Sequence, residues 1–293
     1  MRKVKDLHYT RERIPTPDDD FLDLDWVKKE NKDLVIISHG LEGSSTRPYI
    51  KGMAKAFSEE GFDVLAWNFR GCSEEINKQL RFYHSGATED LDHVVKHALN
   101  EGYTGIHLIG FSLGGNLTLK YVGEQGENIN PKVKKAVAFS VPLDLGSSCD
   151  TIAQSSNVIY SSRFLKNLKN KIRRKAELMP NQISVAQLNT VKTIRDFDEM
   201  FTAPLHGFDN AADYYHQCSS IHFLKHIAIP TLIVNAKNDP FLSDECYPEE
   251  ELAQHPHVTF EMPERGGHVG FTEFNTEKRY WSEKRALSFI NKN

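Results

Sequence analysis

The chain has 293 residues, of which 39% are hydrophobic, and a formal net charge of −4. That is room for one large domain with a sizeable core, and the charge excludes the basic footprint of a nucleic-acid binder or a polybasic membrane patch. The N-terminus MRKVKDLHYT lacks the apolar stretch of a secretory signal, and no apolar run approaches the roughly 20 residues needed to cross a bilayer.

The predicted elements start with Thr10–Trp26. Pro15, Pro17 and the acidic turn Asp18–Asp20 are followed by Leu22, Leu24 and Trp26 alternating with Asp23 and Asp25, which reads as a β-hairpin with one buried face. Leu34–Ser38 is a continuous apolar run, as a strand buried on both faces requires. Tyr49, Ile50, Met53, Ala54 and Phe57 follow at helical spacing, then the strand Val64–Trp67. Leu91, Val94, Val95, Ala98 and Leu99 mark an amphipathic helix. Ile106–Ile109 is a strand and Leu113–Val122 a helix. Ala136–Ser140, Thr231–Asn235 and Val258–Glu261 are further strands, and a helix over Tyr280–Ile290 closes the chain. This alternation implies a mostly parallel central sheet flanked by helices. Residues 146 to about 226 break the rhythm. They hold no clear strand and carry basic, helix-prone sequence such as Lys166–Lys175, so a helical insertion able to act as a cap is expected within a single domain spanning 1–293.

The strand Ile106–Ile109 runs into Gly110-Phe111-Ser112-Leu113-Gly114-Gly115 and then a helix. G-x-S-x-G in this strand–turn–helix setting puts a serine on a strained turn with its hydroxyl projecting from the sheet, and close backbone approach demands small residues two before and two after. Ser112 is therefore the candidate nucleophile. Acyl transfer needs two backbone N–H donors for the oxyanion. The residue after the nucleophile, Leu113, supplies one. The loop His39-Gly40-Leu41-Glu42-Gly43 after an early strand makes Leu41 the candidate for the other, while the His39 side chain is read as structural.

A serine hydroxyl needs a histidine base, and the histidine needs a carboxylate to fix its tautomer. With 13 histidines, residue type alone selects none. Position does: Asp239 follows the strand Thr231–Asn235, and His268 sits on a glycine loop after Val258–Glu261, in the chain order serine, acid, histidine. Asp244 and Asp144 remain alternative acids. The pairs His93/His97 and His222/His226 have metal-compatible spacing but no third-ligand context, so no metal is expected. The four cysteines, Cys72, Cys149, Cys218 and Cys246, form neither a disulfide framework nor a zinc site, and point to the reducing cytoplasm.

Together HGLEGSS (39–45), NFRGC (68–72), GFSLGGN (110–116), NDPF (238–241) and GGHVGF (266–271), with LHGF at 205–208, resemble the YheT-like branch of the α/β-hydrolases, which includes bacterial esterases and the eukaryotic α/β-hydrolase-domain lipases. The resemblance spans nearly the whole chain. It implies an α/β-hydrolase fold, carboxylic ester hydrolysis on short or medium acyl chains, a Ser112–Asp239–His268 triad and no cofactor. The implied partner is a small-molecule or lipid-like ester, without nucleic acid and without a transmembrane segment. Several eukaryotic relatives carry an N-terminal membrane anchor that this sequence lacks. The rival readings are another acyl enzyme on the same scaffold (thioesterase, acyltransferase or peptidase), a catalytically silent binding module, and a metal-dependent hydrolase.

Overall fold

A computed structural model of the protein describes residues 2–273, 275–276 and 278–292. Eight strands form one sheet: β1 (Thr10–Pro15), β2 (Phe21–Val27), β3 (Asp33–Ser38), β4 (Asp63–Asn68), β5 (Gly105–Phe111), β6 (Val133–Phe139), β7 (Thr231–Val234) and β8 (Val258–Glu261). Their spatial order is β1-β2-β4-β3-β5-β6-β7-β8. The pairs β1–β2 and β2–β4 are antiparallel and the rest are parallel.

The period-2 geometry of a strand sends alternate side chains to opposite faces. In β3, Leu34 and Ile36 enter one core and Val35 and Ile37 the other. Both faces are buried because helices cover both. On one side lie α1 (Pro48–Glu59) and the closing helix α10 (Trp281–Ile290), which bury Ile50, Met53, Phe57, Ala286 and Leu287. On the other lie α2 (Thr88–Asn100) and α3 (Leu113–Gln125), with Leu91, Val94, Leu117 and Val122 in the second core. Each large side chain removed from water in this way contributes about 2 kcal/mol.

Between β6 and β7 the chain leaves the sheet. It forms α4 (Leu145–Ile152), α5 (Val158–Leu178), α6 (Ile194–Phe197), α7 (Ala203–His206) and α8 (Ala211–Cys218), with a π-helical turn, Asp198–Thr202, between α6 and α7. Part of this stretch has its own small core of Leu145, Ile194, Ala203, Tyr214 and Tyr215, while Leu168 and Ile172 of α5 join the main core beside the sheet. A further short helix, α9 (Glu249–Leu252), precedes β8.

One expectation is corrected. β2 is buried on both faces: Asp23 and Asp25 are as enclosed as Leu22 and Leu24. Their charges are matched rather than solvated. Arg13 grips Asp23 in a two-pronged contact at 2.7 and 2.9 Å. Arg11 does the same to Asp25 at 2.6 and 2.9 Å. Alternating Asp has the pattern of a wet face because no partner is visible within the strand itself; the arginines come from β1.

Candidate active site

The site is assembled at the carboxyl ends of the parallel strands. Ser112 occupies the turn between β5 and α3 with φ 54° and ψ −121°, a conformation costly for any residue with a Cβ. Its N–H donates to the Phe139 carbonyl (2.8 Å) and its carbonyl accepts from Asn116 N–H (2.9 Å), which pins the turn. The flanking glycines have steric causes. A Cβ on Gly110 would collide with the Gly114 carbonyl, and one on Gly114 with the carbonyls of Ser38 and His39.

The His268 Nε2 lies 2.8 Å from Ser112 Oγ, and its Nδ1 lies 2.9 and 3.1 Å from the two carboxylate oxygens of Asp239. Asp239 is buried, and one of its oxygens also accepts the N–H of Phe241 (3.0 Å). The Phe241 ring packs against the imidazole at 4.5 Å. The structure thus brings Ser112, His268 and Asp239 into one hydrogen-bonded line. It leaves the other carboxylates out of that line. Asp144 caps α4, accepting the N–H of Ser147 at 2.8 Å, and Asp244 is exposed.

The loop after β3 runs against Ser112: a Cβ on Gly40 would sit 3.2 Å from Ser112 Cβ. Gly40 N–H donates to the Tyr49 hydroxyl (3.0 Å) and Glu42 N–H to the Tyr83 hydroxyl (2.8 Å). Leu41 N–H, between them, has no protein acceptor among the described residues. Leu113 is the first residue of α3, where helix N–H groups lack intrahelical partners. His39 is fully buried; Nδ1–H donates to the Gly40 carbonyl (2.8 Å) and Nε2 accepts Phe69 N–H (3.2 Å). Burial drives its pKa down to about 3, so the ring is neutral and serves to shape the loop.

Two cavities meet at Ser112 and Leu41, which line both. The inner one, about 100 Å³, is walled largely by the β6–β7 insertion, including Leu145, Leu168, Ile194 and Tyr215. Its lining contains one buried carboxyl, Asp198, bonded by the Thr202 and Tyr215 hydroxyls at 2.6 and 2.8 Å. Burial nevertheless raises its pKa to about 6. The outer cavity, about 700 Å³, is bordered by Tyr160, Phe164, Phe241, Arg47 and Arg163.

Several supporting residues were not singled out from sequence. Asn238 Oδ1 accepts the N–H groups of Gly266 and Gly267 at 2.9 and 3.0 Å, and Ser140 Oγ donates to the His268 carbonyl. Asn238 lies beside Asp239 in NDPF, which was the available signal; nothing local marks Ser140. In NFRGC, Arg70 is buried between Asp90 (2.8 Å) and Asp20 (3.0 Å), and Asn68 Oδ1 accepts Ser45 N–H at 3.0 Å, so this segment braces the loop after β3 and the hairpin.

The histidine pairs stand apart from the site. His93 contacts the Pro15 carbonyl (2.8 Å) and His97 contacts Glu12 (3.1 Å). His222 and His226 fall in two successive 3-10 turns, not one helix. Among the described residues, no helix is long and apolar enough to cross a membrane.

The alpha/beta hydrolase fold family model matches residues 33–274. The chain is 38% identical over 277 residues to the Escherichia coli protein YheT, whose name carries an esterase assignment, covering 92% of this chain and 80% of that one. It is 30% identical over 279 residues to the mouse protein named phospholipase ABHD3, covering 91% and 67%. Among solved structures it resembles the Pyrococcus furiosus esterase Pf2001, with a TM-score of 0.64 at 21% identity, covering 97% and 90%, a likeness of fold.

Proposed function

This chain belongs to the α/β-hydrolase family, and from that premise we propose that it cleaves carboxylic esters by acyl transfer through Ser112. The observation that carries the reading is the unbroken contact Ser112 Oγ–His268 Nε2 and His268 Nδ1–Asp239. His268 takes the Ser112 proton as the oxygen attacks the ester carbonyl. The N–H groups of Leu41 and Leu113 receive the oxyanion, which Ser112's position on the β5–α3 turn presents to them. His268 then protonates the departing alcohol, and later activates the water that releases the acid. Asp239 stays ionised throughout, holding the Nδ1–H tautomer and stabilising the imidazolium. Protein groups and water complete this chemistry without a cofactor.

The two cavities give the ester a direction. An acyl chain fits the narrow inner cavity and the alcohol part the wide outer one, with the scissile carbonyl at Ser112. The narrowness of the inner cavity favours short or medium acyl groups. The insertion over residues 146–226 acts as the cap, because its side chains roof the inner cavity. The names of the relatives, an esterase and a phospholipase, agree with an ester substrate. Four free thiols fit a reducing compartment such as the cytoplasm.

The experiment is hydrolysis of p-nitrophenyl esters of increasing acyl length, with a fluorophosphonate probe and peptide mapping alongside. Turnover of short or medium esters and a phosphonate adduct on Ser112 are expected. A folded protein that neither turns over the series nor takes the probe would overturn the reading in favour of a binding role.

A further inference from the structure

Glu42 follows Leu41 directly and has φ +50°. A glycine there would adopt this conformation without strain. The chain instead places a residue with a long acidic side chain, and that side chain is engaged. Its Oε1 accepts the Tyr83 hydroxyl (2.8 Å) while its own N–H donates to the same hydroxyl oxygen (2.8 Å). The same Oε1 lies 2.8 Å from Lys171 Nζ. Lys171 belongs to α5, in the insertion. Its side chain is 5% exposed and that of Glu42 9%, so the pair is withdrawn from water. The ammonium also sits 4.4 Å from the centre of the Tyr83 ring and 3.1 Å from Cys72 Sγ.

A buried ion pair is a poor route to stability, since apolar side chains of similar volume often serve as well. What it supplies here is geometry. Three groups, the Glu42 carboxylate on the β3 loop, the Tyr83 hydroxyl and Lys171 of the insertion, fix the peptide at this left-handed residue. That peptide adjoins the Leu41 N–H, which has no protein acceptor among the described residues, and Leu41 lines both cavities together with Ser112.

We propose that Lys171 is a positioning residue: through Glu42 it holds the Leu41–Glu42 backbone so that the Leu41 N–H meets the oxyanion, and it thereby makes the oxyanion hole depend on the seating of α5 against the β3 loop. The inference rests on the proposed acyl-transfer reading, in which Leu41 is a donor. It assigns the insertion a part in transition-state stabilisation in addition to roofing the cavity.

The test compares wild type, Lys171→Met, Lys171→Arg and Glu42→Gln on p-nitrophenyl butyrate, with Ser112→Ala as reference and thermal unfolding measured for each. Loss of a whole oxyanion donor lowers kcat by roughly 100- to 1,000-fold, so a displaced one is expected to lower it about 10- to 100-fold. Lys171→Met should show that loss in kcat with KM within about two-fold, and should bind a trifluoromethyl ketone analogue more weakly by the same factor. Lys171→Arg, which keeps the charge, should recover most of it. Should Lys171→Met fail to fold, Glu42→Gln carries the test, with the same split expected. Wild-type kcat and analogue affinity in a folded Lys171→Met or Glu42→Gln would overturn the proposal while leaving the acyl-transfer reading intact. Ser112→Ala with wild-type activity would overturn that reading itself.

Discussion

The Nε2 of His268 lies 2.8 Å from the Oγ of Ser112, although His268 follows β8 at the sheet edge and Ser112 follows β5. The β8 loop must therefore reach across the ends of β6 and β7. Both intervening strands prop it. Ser140, just past β6, donates to the His268 carbonyl, and Asn238, past β7, receives the N–H groups of Gly266 and Gly267. Asn238→Ala removes the second prop, while the buried Phe271 ring still anchors the far end of the loop. We expect kcat to fall about ten-fold with a small change in Tm, because a modest misplacement of His268, the proposed base, is enough. Steady-state kinetics with thermal unfolding checks this; unchanged kcat would show that the Ser140 contact suffices.

Asp239→Asn keeps the shape of the side chain and the bond to Phe241 N–H, but presents an amide to His268 Nδ1. The expected outcome is a loss of about 10⁴ in kcat with folding retained, as the imidazole is no longer held in the productive tautomer. Asp144→Asn, at the cap of α4, should leave kcat near wild type. A reversed pattern in the same assay would move the acid to Asp144.

Much of this arrangement is legible in the sequence, and the reason is local chemistry. A continuous apolar run such as Leu34–Ile37 must be buried on both faces, and a glycine-flanked serine between a strand and a helix has few structural meanings. A side chain whose partner comes from another segment of the chain is not legible in this way. Asp23 and Asp25 resemble solvent-facing residues until Arg13 and Arg11 are laid beside them. Lys171 and Lys175 lie in a basic stretch with the composition of a wetted surface, yet both are buried in the structure. After α5, the fine structure of residues 179–226, short helices and a π-helical turn, has no period long enough to read.

Gly114→Ala tests why the β5–α3 turn is built from glycine. The new methyl group would meet two main-chain carbonyls, which cannot swing aside as a side chain can. A loss of more than about 3 kcal/mol, or failure to fold, is expected. Gly146→Ala is the control: at α4 the nearest atom to an added Cβ is 3.6 Å away, and the change should be within about 1 kcal/mol. Urea unfolding of the two variants measures the contrast. Equal stability would remove the steric explanation.

Asp198 gives a pH signature. Burial raises its pKa from 3.8 to about 6, against the hydrogen bonds of Thr202 and Tyr215 and the Arg195 charge, which lower it. The folded chain thus holds this proton more tightly than the unfolded one. Its contribution to stability is full below pH 3.8, declines as pH rises through about 6, and is level above that. At 1.4 kcal/mol per pH unit the decline is about 3 kcal/mol. Asp198→Asn should abolish this slope between pH 4 and 7 and unfold at higher temperature than wild type at neutral pH. Parallel stability curves for the two proteins would show that Asp198 does not titrate as its burial requires.

If Ser112 is the nucleophile, Ser112→Ala assayed beside wild type on p-nitrophenyl butyrate must lose the activity. A folded variant with kcat reduced by at least about 10⁴ is expected, because His268 and Asp239 have no serine oxygen left to activate. A Ser112→Ala protein that hydrolyses the ester at the wild-type rate would contradict that assignment.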